Sequence, residues 1–276
     1  MKRIATIQDI SCVGKCSLTV ALPVISAMGI EASVIPTAVL STHTMFQGFT
    51  FHDLTGEIRP IMNHWKQEGF AFDGIYTGYL GSFEQLDLAH QLFQEFGRGK
   101  TILVDPCMAD NGKLYYGFDQ KFADRMALLC READYICPNL TEASFLLHQP
   151  YIESGYDEAY VQAALRSLAA LGARRPVLTG ISLEPGKLGV YAYDSEQDSF
   201  FQYYDDELPT HFHGTGDIWA SAFFGGLILG RGMEESLRIA TDYVCECIRL
   251  TLAEPHHNVY GVNFEQAIPY LVKRIG

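Results

Sequence analysis

The sequence His213-Gly214-Thr215-Gly216-Asp217 runs directly into the apolar stretch Ile218-Trp219-Ala220-Ser221-Ala222-Phe223-Phe224. Residues 218–224 are apolar on nearly all sides of a helix, which is typical of a helix at the centre of a fold. Two glycines let the backbone approach a ligand closely, and the first amides of a helix are unpaired at the positive end of its dipole. The turn therefore predicts an anion site at the N-terminus of a buried helix.

The same turn has two interpretations. Gly-Thr-Gly-Asp is compatible with an ordinary helix start that carries an acid in its first turn. It also suits phosphoryl transfer, in which an anion site holds the phosphate while a carboxylate such as Asp217 takes the proton of the acceptor hydroxyl. The turn alone does not decide between them, and the other motifs of the chain do.

Short β-rich runs alternate with helical patterns along the chain. Strands are predicted at residues 2–7, 32–40, 74–80, 101–104, 135–137 and 176–179, with an apparent hairpin at 188–193 and 200–204. Helices are predicted at residues 16–28, 57–68, 83–96, 118–133, 157–171, 215–229, 234–252 and 264–275, and from about Thr141. This alternation predicts an α/β fold with a central, mainly parallel sheet and helices on both faces. Without a repeat or a linker, one domain over residues 1–276 is expected.

In such sheets ligands bind beyond the carboxyl ends of the strands. The segment 41–56 follows a predicted strand and exceeds the about 12–15 residues at which unstructured loops are usually functional or disordered. Its aromatic residues Phe46, Phe49 and Phe51 indicate an ordered lid.

Composition restricts the class of protein. The chain has 276 residues, a formal net charge of −13 and a sequence pI near 5.0. It therefore lacks the basic character of a nucleic-acid-binding protein, and an anionic ligand needs a localised site. Neither a signal peptide nor a membrane-spanning run is evident, so a cytoplasmic protein is expected. Seven scattered cysteines indicate free thiols rather than a disulfide framework.

Two other nucleotide-binding motifs are excluded. Gly14-Lys15-Cys16-Ser17 superficially resembles a P-loop, but that motif requires Gly and Ser or Thr where Asp9 and Cys16 stand. The dinucleotide fingerprint fails because its third glycine would fall at Trp219.

Four blocks in the same order resemble the ribokinase-like superfamily and, within it, the pyridoxal kinase family, over nearly the whole chain. They are Ser41-Thr42-His43-Thr44 with Thr77-Gly78-Tyr79-Leu80-Gly81-Ser82, then Asp105-Pro106-Cys107-Met108-Ala109-Asp110-Asn111-Gly112, Pro138-Asn139-Leu140-Thr141-Glu142-Ala143, and Gly214-Thr215-Gly216-Asp217. The resemblance implies ATP-dependent phosphorylation of the hydroxymethyl group of a vitamin B6 vitamer: pyridoxal, pyridoxine or pyridoxamine. Cys107 and Ala109 replace a Val and a Gly of the family, which leaves the backbone shape before Asp110 open.

The resemblance also implies residue roles. Asp217 is the base, and Gly214, Thr215 and Gly216 hold the transferring phosphate. Asp9, His43, Thr44 and Tyr79 contact the substrate. Asp105, Asn139, Glu142, Thr179 and Gly180 serve ATP together with Gly214 and Gly216, while Asp105 and Glu142, with Asp110, act around magnesium, largely through water. A homodimer and a monovalent cation such as potassium are further expectations.

Several alternatives stay open. Asp105-Pro106 can be a strand end with a turn, and residues 138–142 a helix start with an early acid. A structural hydrogen bond is as good an interpretation of His43 as substrate contact. A hydroxymethylpyrimidine kinase of thiamine metabolism has a similar substrate, and a protein of the same fold that binds a vitamer or nucleotide without turnover is the alternative from another class.

Overall fold

The computed structural model describes residues 1–208, 210 and 212–276. Its strands are β1 (Arg3–Ser11), β2 (Glu31–Leu40), β3 (Phe51–Asp53), β4 (Gly74–Thr77), β5 (Thr101–Val104), β6 (Ala109–Asp110), β7 (Lys113–Leu114), β8 (Tyr135–Ile136), β9 (Arg175–Ile181), β10 (Lys187–Asp194) and β11 (Ser199–Asp206). Its helices are α1 (Leu18–Ala27), α2 (Thr55–Gln67), α3 (Phe83–Phe96), α4 (Gln120–Cys130), α5 (Leu140–Leu146), α6 (Glu158–Ala170), α7 (Thr215–Ile228), α8 (Gly232–Leu252) and α9 (Phe264–Ile275).

The chain forms two compact units. The first comprises residues 1–74 and 208–276. In it β1 pairs with β2 in parallel, and β3 pairs with β2 in antiparallel orientation, with Leu40 opposite Phe51. Burial is almost continuous along β1, as expected of a parallel strand covered on both faces. Helix α7 is buried along most of its length and packs against α1 and α8, which confirms the prediction of a central helix.

The second unit comprises residues 75–207. Its strands follow the order β11-β10-β9-β8-β5-β4. The pairs β5–β8 and β8–β9 are parallel, while β10 pairs with both β9 and β11 in antiparallel orientation. The hairpin of β10 and β11 was predicted from the sequence and is confirmed.

Side-chain caps define where several helices of this unit begin. Ser82, Asp119 and Asp157 each accept a hydrogen bond from a backbone N–H of the first turn of α3, α4 and α6, respectively. Such caps satisfy amides that have no partner inside the helix. The predicted helix boundaries of these elements lie within a few residues of the observed ones.

Two sequence predictions need correction. Strand β1 extends to Ser11 rather than to Ile7, so Asp9 lies within the strand and not after it. The segment 41–56 is not a continuous loop, because it contains β3 and the first residues of α2. Polar residues such as Gln8 and Asp9 conceal the continuation of β1, since a strand buried on both faces is expected to be apolar.

The α/β fold with a mainly parallel sheet is confirmed, and the single domain stays a prediction. The seven cysteines are free thiols, as predicted. Within the described ranges, every helix is too short or too polar to cross a bilayer.

Candidate active site

Helix α7 begins at a glycine in the left-handed conformation. Gly214, its N-cap residue, has φ 79°, and a Cβ atom there would overlap the carbonyl oxygen of Lys15. Only glycine tolerates both conditions. Gly216 differs, because it is exposed and a Cβ atom there would meet nothing within 4 Å. The hydroxyl of Thr215 donates to the carbonyl of Phe212 at 3.1 Å and closes the turn. Open space thus remains beside Gly216 at the helix N-terminus, where an anion is favoured.

Asp217 stands in the first turn of α7 as a half-buried carboxylate. Burial is the main reason that the pKa of Asp217 rises, to about 6. The backbone N–H of Ser17 donates to this carboxylate and opposes the rise, whereas the negative charge of Asp9 adds to it. A base whose pKa lies near the working pH is well suited to proton transfer. The geometry therefore agrees with the role predicted for Asp217.

Asp9 lies at an irregularity in the pairing of β1 with β2, between Gln8 and Ile10. Its side chain is 4% exposed. One carboxylate oxygen accepts the hydroxyl of Ser11 at 3.1 Å, and the side chain of Ser17 donates as well. Burial raises the pKa of Asp9 despite these bonds. Asp9 is thus a buried carboxylate with two hydroxyl partners, and its contact with substrate stays a prediction.

His43 makes one hydrogen bond through its backbone and one through its ring. Its backbone N–H donates to the carbonyl of Val13 at 2.8 Å, and its ring Nδ1 accepts the backbone N–H of Met45 at 3.0 Å. The ring of His213 packs edge-on at 4.7 Å. Burial, and then His213, lower the pKa of His43 to about 4, so the ring is neutral and carries its proton on Nε2. The adjacent Thr44 is exposed. His43 therefore makes the structural hydrogen bonds that were one interpretation of this residue, and its contact with substrate through Nε2 stays a prediction.

In the second unit, Asn139 and Glu142 form a capping box at the start of α5. The Asn139 Oδ1 accepts the N–H of Glu142 at 2.8 Å, and the Glu142 Oε2 accepts the N–H of Asn139 at 2.9 Å. The other oxygen of Glu142 accepts the N–H of Met108 at 3.1 Å, and the amide of Asn139 donates to the carbonyl of Ala109 at 3.0 Å. The two residues therefore tie the block after β5 to the start of α5. A helix start with an early acid was one interpretation of residues 138–142, and the structure confirms that Asn139 and Glu142 cap α5.

Asp105 and Glu142 are two buried carboxylates that influence each other. They are 8% and 3% exposed. Burial and then the charge of Asp105 raise the pKa of Glu142 well above its usual range. A cation offsets this repulsion. The pair is thus compatible with magnesium held through water. Across residues 1–208, 210 and 212–276, no group of three or more His, Cys, Asp or Glu side chains is placed to hold a metal ion.

Asp110 lies in a short hairpin that was not predicted from the sequence. Strands β6 and β7 pair through Asn111 and Gly112, whose φ values are 50° and 75°. An Asn-Gly pair with positive φ is the strongest short hairpin signal, and it was present in the sequence. The exposed Asp110 accepts the N–H of Asn111 at 2.9 Å, while Ala109 is fully buried. Alanine is therefore accommodated before Asp110 as a strand residue, and the magnesium role of Asp110 stays a prediction.

The remaining predicted residues of the second unit lie at strand ends. The N–H of Thr179 donates to the carbonyl of Pro138 at 3.0 Å, and Gly180 is exposed with φ 69°. Tyr79 follows β4 and is half-buried, with its ring 5.8 Å from that of Phe118. These positions agree with ligand contact, and their roles stay predictions.

The predicted residues divide between the two units. The first contains Asp9, His43, Thr44 and the turn Gly214-Thr215-Gly216-Asp217, and the second contains Tyr79, Asp105, Asp110, Asn139, Glu142, Thr179 and Gly180. Within the first unit, Asp9 and Asp217 are close enough to interact electrostatically. The contact of Ser17 with Asp217 could not be predicted from the sequence, because a backbone N–H donor is common to nearly all residue types.

A mainly parallel α/β fold, with the turn Gly214-Thr215-Gly216-Asp217 at the start of a buried helix, is that of the ribokinase-like small-molecule kinases. The profile of the phosphomethylpyrimidine kinase family matches residues 21–263. The chain belongs to this family.

Known proteins similar to the chain point to the same class. A Bacteroides thetaiotaomicron protein assigned as a phosphomethylpyrimidine kinase has a TM-score of 0.94 and 36% identity, with 98% of this chain and 93% of that one covered. It was also solved in a crystal form with pyridoxal. The pyridoxal kinase of Lactobacillus plantarum has a TM-score of 0.89 and 30% identity, over 99% and 97% of the two chains. The pyridoxine/pyridoxal/pyridoxamine kinase of Bordetella avium is 25% identical over 90% of this chain and 85% of its own length.

Proposed function

We propose that this protein transfers the γ-phosphate of ATP to the hydroxymethyl group of a vitamin B6 vitamer (pyridoxal, pyridoxine or pyridoxamine). The proposal rests on the environment of Asp217 in the first turn of α7. Burial raises the pKa of this carboxyl group to about 6, and open space lies beside the neighbouring Gly216. The similarity to pyridoxal kinases and to a protein crystallised with pyridoxal supports this choice of substrate.

The reaction assigns a task to each group of the α7 turn. The Asp217 carboxylate accepts the proton of the hydroxymethyl group, and the resulting oxygen forms a bond to the γ-phosphorus as the bond to the β-phosphate oxygen breaks. ADP and the vitamer 5′-phosphate are the products. The amides from Gly214 to Gly216 stabilise negative charge on the transferring phosphate, which is the principal demand of phosphoryl transfer.

The substrate is held by Asp9, His43, Thr44 and Tyr79 in this proposal. Asp9 accepts a hydrogen bond from the ring hydroxyl or the protonated ring nitrogen of the vitamer. The neutral His43 donates from Nε2 or stacks, because its Nδ1 already accepts the Met45 N–H. Thr44 hydrogen-bonds the ring, and Tyr79 lines the pocket.

ATP is held by Asp105, Asn139, Glu142, Thr179 and Gly180, with Asp110 near the metal. Magnesium would be held by Asp105 and Glu142, largely through water, and would neutralise charge on the phosphates. The family resemblance adds a homodimer, a cytoplasmic location, a single kinase domain and a monovalent cation such as potassium to the proposal.

An assay of the purified protein tests catalysis. With magnesium and ATP, we expect pyridoxal-dependent formation of ADP, and Asp217→Asn should lower the rate by about 10²–10⁴-fold because a positioned base is lost. Asp157→Asn, at the exposed cap of α6, is the matched carboxylate control and should retain wild-type turnover. Tight vitamer binding without turnover, or normal turnover by Asp217→Asn, would overturn the proposal.

A second candidate reaction is phosphorylation of hydroxymethylpyrimidine, since the family profile is that of phosphomethylpyrimidine kinases. Both substrates are flat heterocycles with a hydroxymethyl group. A competition panel of the three vitamers and hydroxymethylpyrimidine, ranked by kcat/KM, separates the two reactions, because specificity is a difference in transition-state binding. A higher kcat/KM for hydroxymethylpyrimidine than for every vitamer would assign the protein to thiamine metabolism.

A further inference from the structure

Residues 12–17, between β1 and α1, have an unusual backbone. Lys15 and Ser17 both have φ 50°, although neither is glycine. Residues with side chains adopt such angles rarely, and these conformations persist where the surroundings impose them. Something must therefore hold this segment in place.

The side chain of Lys15 supplies such a constraint. Its Nζ donates to the Asn263 Oδ1 at 3.1 Å and to the Glu265 Oε2 at 2.9 Å, and it lies 5.8 Å from the ring centroid of Phe264. The aliphatic part packs closely on the backbone of Gly261, where a Cβ atom would lie 2.6 Å from the Lys15 Cβ. Only 18% of the lysine side chain is exposed. Its ammonium group is thus engaged at the start of α9.

Asn263, one of the two acceptors of the Lys15 ammonium group, is held in place by α8. The N–H of Asn263 donates to the Thr251 hydroxyl at 2.7 Å, which in turn donates to the carbonyl of Cys247 at 2.7 Å. The Tyr243 hydroxyl donates to the carbonyl of Phe264 at 3.1 Å. These bonds are buried, so α8 holds the backbone at Asn263 and Phe264 to which Lys15 is attached.

The other side of the same segment contacts the α7 turn. The carbonyl of Lys15 lies where a Cβ atom of Gly214 would be, and the N–H of Ser17 donates to the Asp217 carboxylate. Lys15 is therefore two residues from the donor that contacts the proposed base. A P-loop lysine, in contrast, has its ammonium group free for phosphate.

We propose that Lys15 is a positioning residue for Asp217: its bonds to Asn263 and Glu265 hold residues 12–17 so that the Ser17 N–H stays on the carboxylate. This inference rests on the proposed function, in which Asp217 is the base. It assigns a role to the Gly14-Lys15-Cys16-Ser17 sequence that does not depend on phosphate binding.

The groups that face Asp217 determine the direction of the effect. Asp9 on β1 raises its pKa, and the Cys16 thiol, whose own pKa is raised to about 12 mainly by burial, is neutral at physiological pH. The Ser17 N–H is the interaction that favours the ionised carboxylate. If the segment shifts, this bond is lost and Asp217 holds its proton to higher pH.

Three variants test the role through the pH dependence of kcat/KM. Lys15→Met keeps the aliphatic stem and removes the ammonium, while Glu265→Gln keeps the ammonium and weakens its anchor. We expect both to move the acidic limb upward by about one pH unit, the effect of losing one hydrogen bond to a charged group. Lys15→Arg should restore the wild-type profile. Lys2→Met, which breaks the exposed pair with Asp73 before β1, is the matched control and should leave the profile unchanged.

A different pattern is expected if the positive charge of Lys15 acts directly on Asp217 instead of through the position of the Ser17 N–H. Removing the negative charge at Glu265 would then lower the acidic limb, opposite to the shift produced by Lys15→Met. That result overturns the positioning role, as does an unchanged profile in both variants. Thermal unfolding confirms that each variant is folded. The two hypotheses fail in different experiments. Normal turnover of Asp217→Asn contradicts the proposed function, whereas the pH profiles of the Lys15 and Glu265 variants test only the positioning role.

Discussion

At the scale of single residues, Asp217 is subject to two opposing requirements. A base, the role proposed for Asp217, must be ionised at the working pH, yet the partial burial of its side chain disfavours the ionised form. The Ser17 N–H moderates this conflict without adding a positive charge that would compete for the substrate phosphate. The result is a carboxylate with a near-neutral pKa, and it has consequences for stability as well as for catalysis.

Replacing Asp217 by Asn should stabilise the ligand-free protein at neutral and alkaline pH. The folded pKa of about 6 exceeds the ordinary value of 3.8, so the wild type loses stability as pH rises through this interval. The amide side chain of the variant does not ionise, so its free energy of unfolding does not fall in this pH interval. We expect a gain of about 1–3 kcal/mol above pH 7 and none near pH 4, measured by urea unfolding across pH. A variant that is less stable than the wild type at pH 8 would show that the ionised Asp217 is not disfavoured in the fold.

The residue scale also shows what sequence can and cannot predict. The Gly-Thr-Gly-Asp turn and the buried helix that follows it can be predicted from residue types and spacing. The Ser17 donor does not, because it is a backbone group whose direction depends on two positive φ angles at Lys15 and Ser17. Those angles in turn depend on contacts with residues about 250 positions away along the chain, such as Glu265.

At the scale of elements, the two glycines of the α7 turn have different functions. Gly214→Ala introduces a Cβ atom at positive φ against the Lys15 carbonyl, so we expect a melting temperature lower by several degrees. Gly216→Ala meets no atom in the ligand-free protein and should melt at the wild-type temperature while losing turnover, because the new methyl group enters the space proposed for phosphate. Differential scanning calorimetry with steady-state kinetics checks both. Wild-type turnover of the Gly216→Ala variant would show that the phosphate does not bind beside Gly216.

The capping box of α5 connects helix stability with the proposed magnesium site. Glu142→Ala removes the acceptor of the Asn139 and Met108 N–H groups and one of two neighbouring carboxylates. We expect unfolding free energy to fall by about 2–4 kcal/mol and the magnesium concentration for half-maximal activity to rise. Asp157→Ala removes the exposed cap of α6 and is the control, with a loss of about 1 kcal/mol and an unchanged magnesium requirement. If the magnesium requirement of Glu142→Ala equals that of the wild type, the role of Glu142 is purely structural.

The missed elements have physical explanations. The hairpin of β6 and β7 contains two residues in each strand, too few for an alternating pattern, although its Asn111-Gly112 turn was visible in the sequence. Strand β3 is exposed at all three residues and pairs with β2 through backbone bonds, so it leaves no hydrophobic signal. Long, periodic helices such as α8 and α9 were predicted to within a few residues.

At the scale of the whole molecule, a net charge of −13 opposes the approach of ATP. The residues proposed for ligand contact include five carboxylates, Asp9, Asp105, Asp110, Glu142 and Asp217, and no lysine or arginine. In the proposed function, binding of the anionic nucleotide therefore depends on backbone amides and on magnesium, which act at short range, whereas the repulsion acts at long range and is screened by salt.

Raising ionic strength should therefore lower the KM for the magnesium–ATP complex. At low salt the repulsion extends over tens of ångströms, and at about 0.15 M salt it is confined to roughly 8 Å. Steady-state kinetics in choline chloride measures screening alone, because choline is too large for a small cation site. The same series in potassium chloride at equal ionic strength reports any additional gain from a bound monovalent cation. A KM that rises with choline chloride would mean that a local positive field, rather than the net charge, governs nucleotide binding.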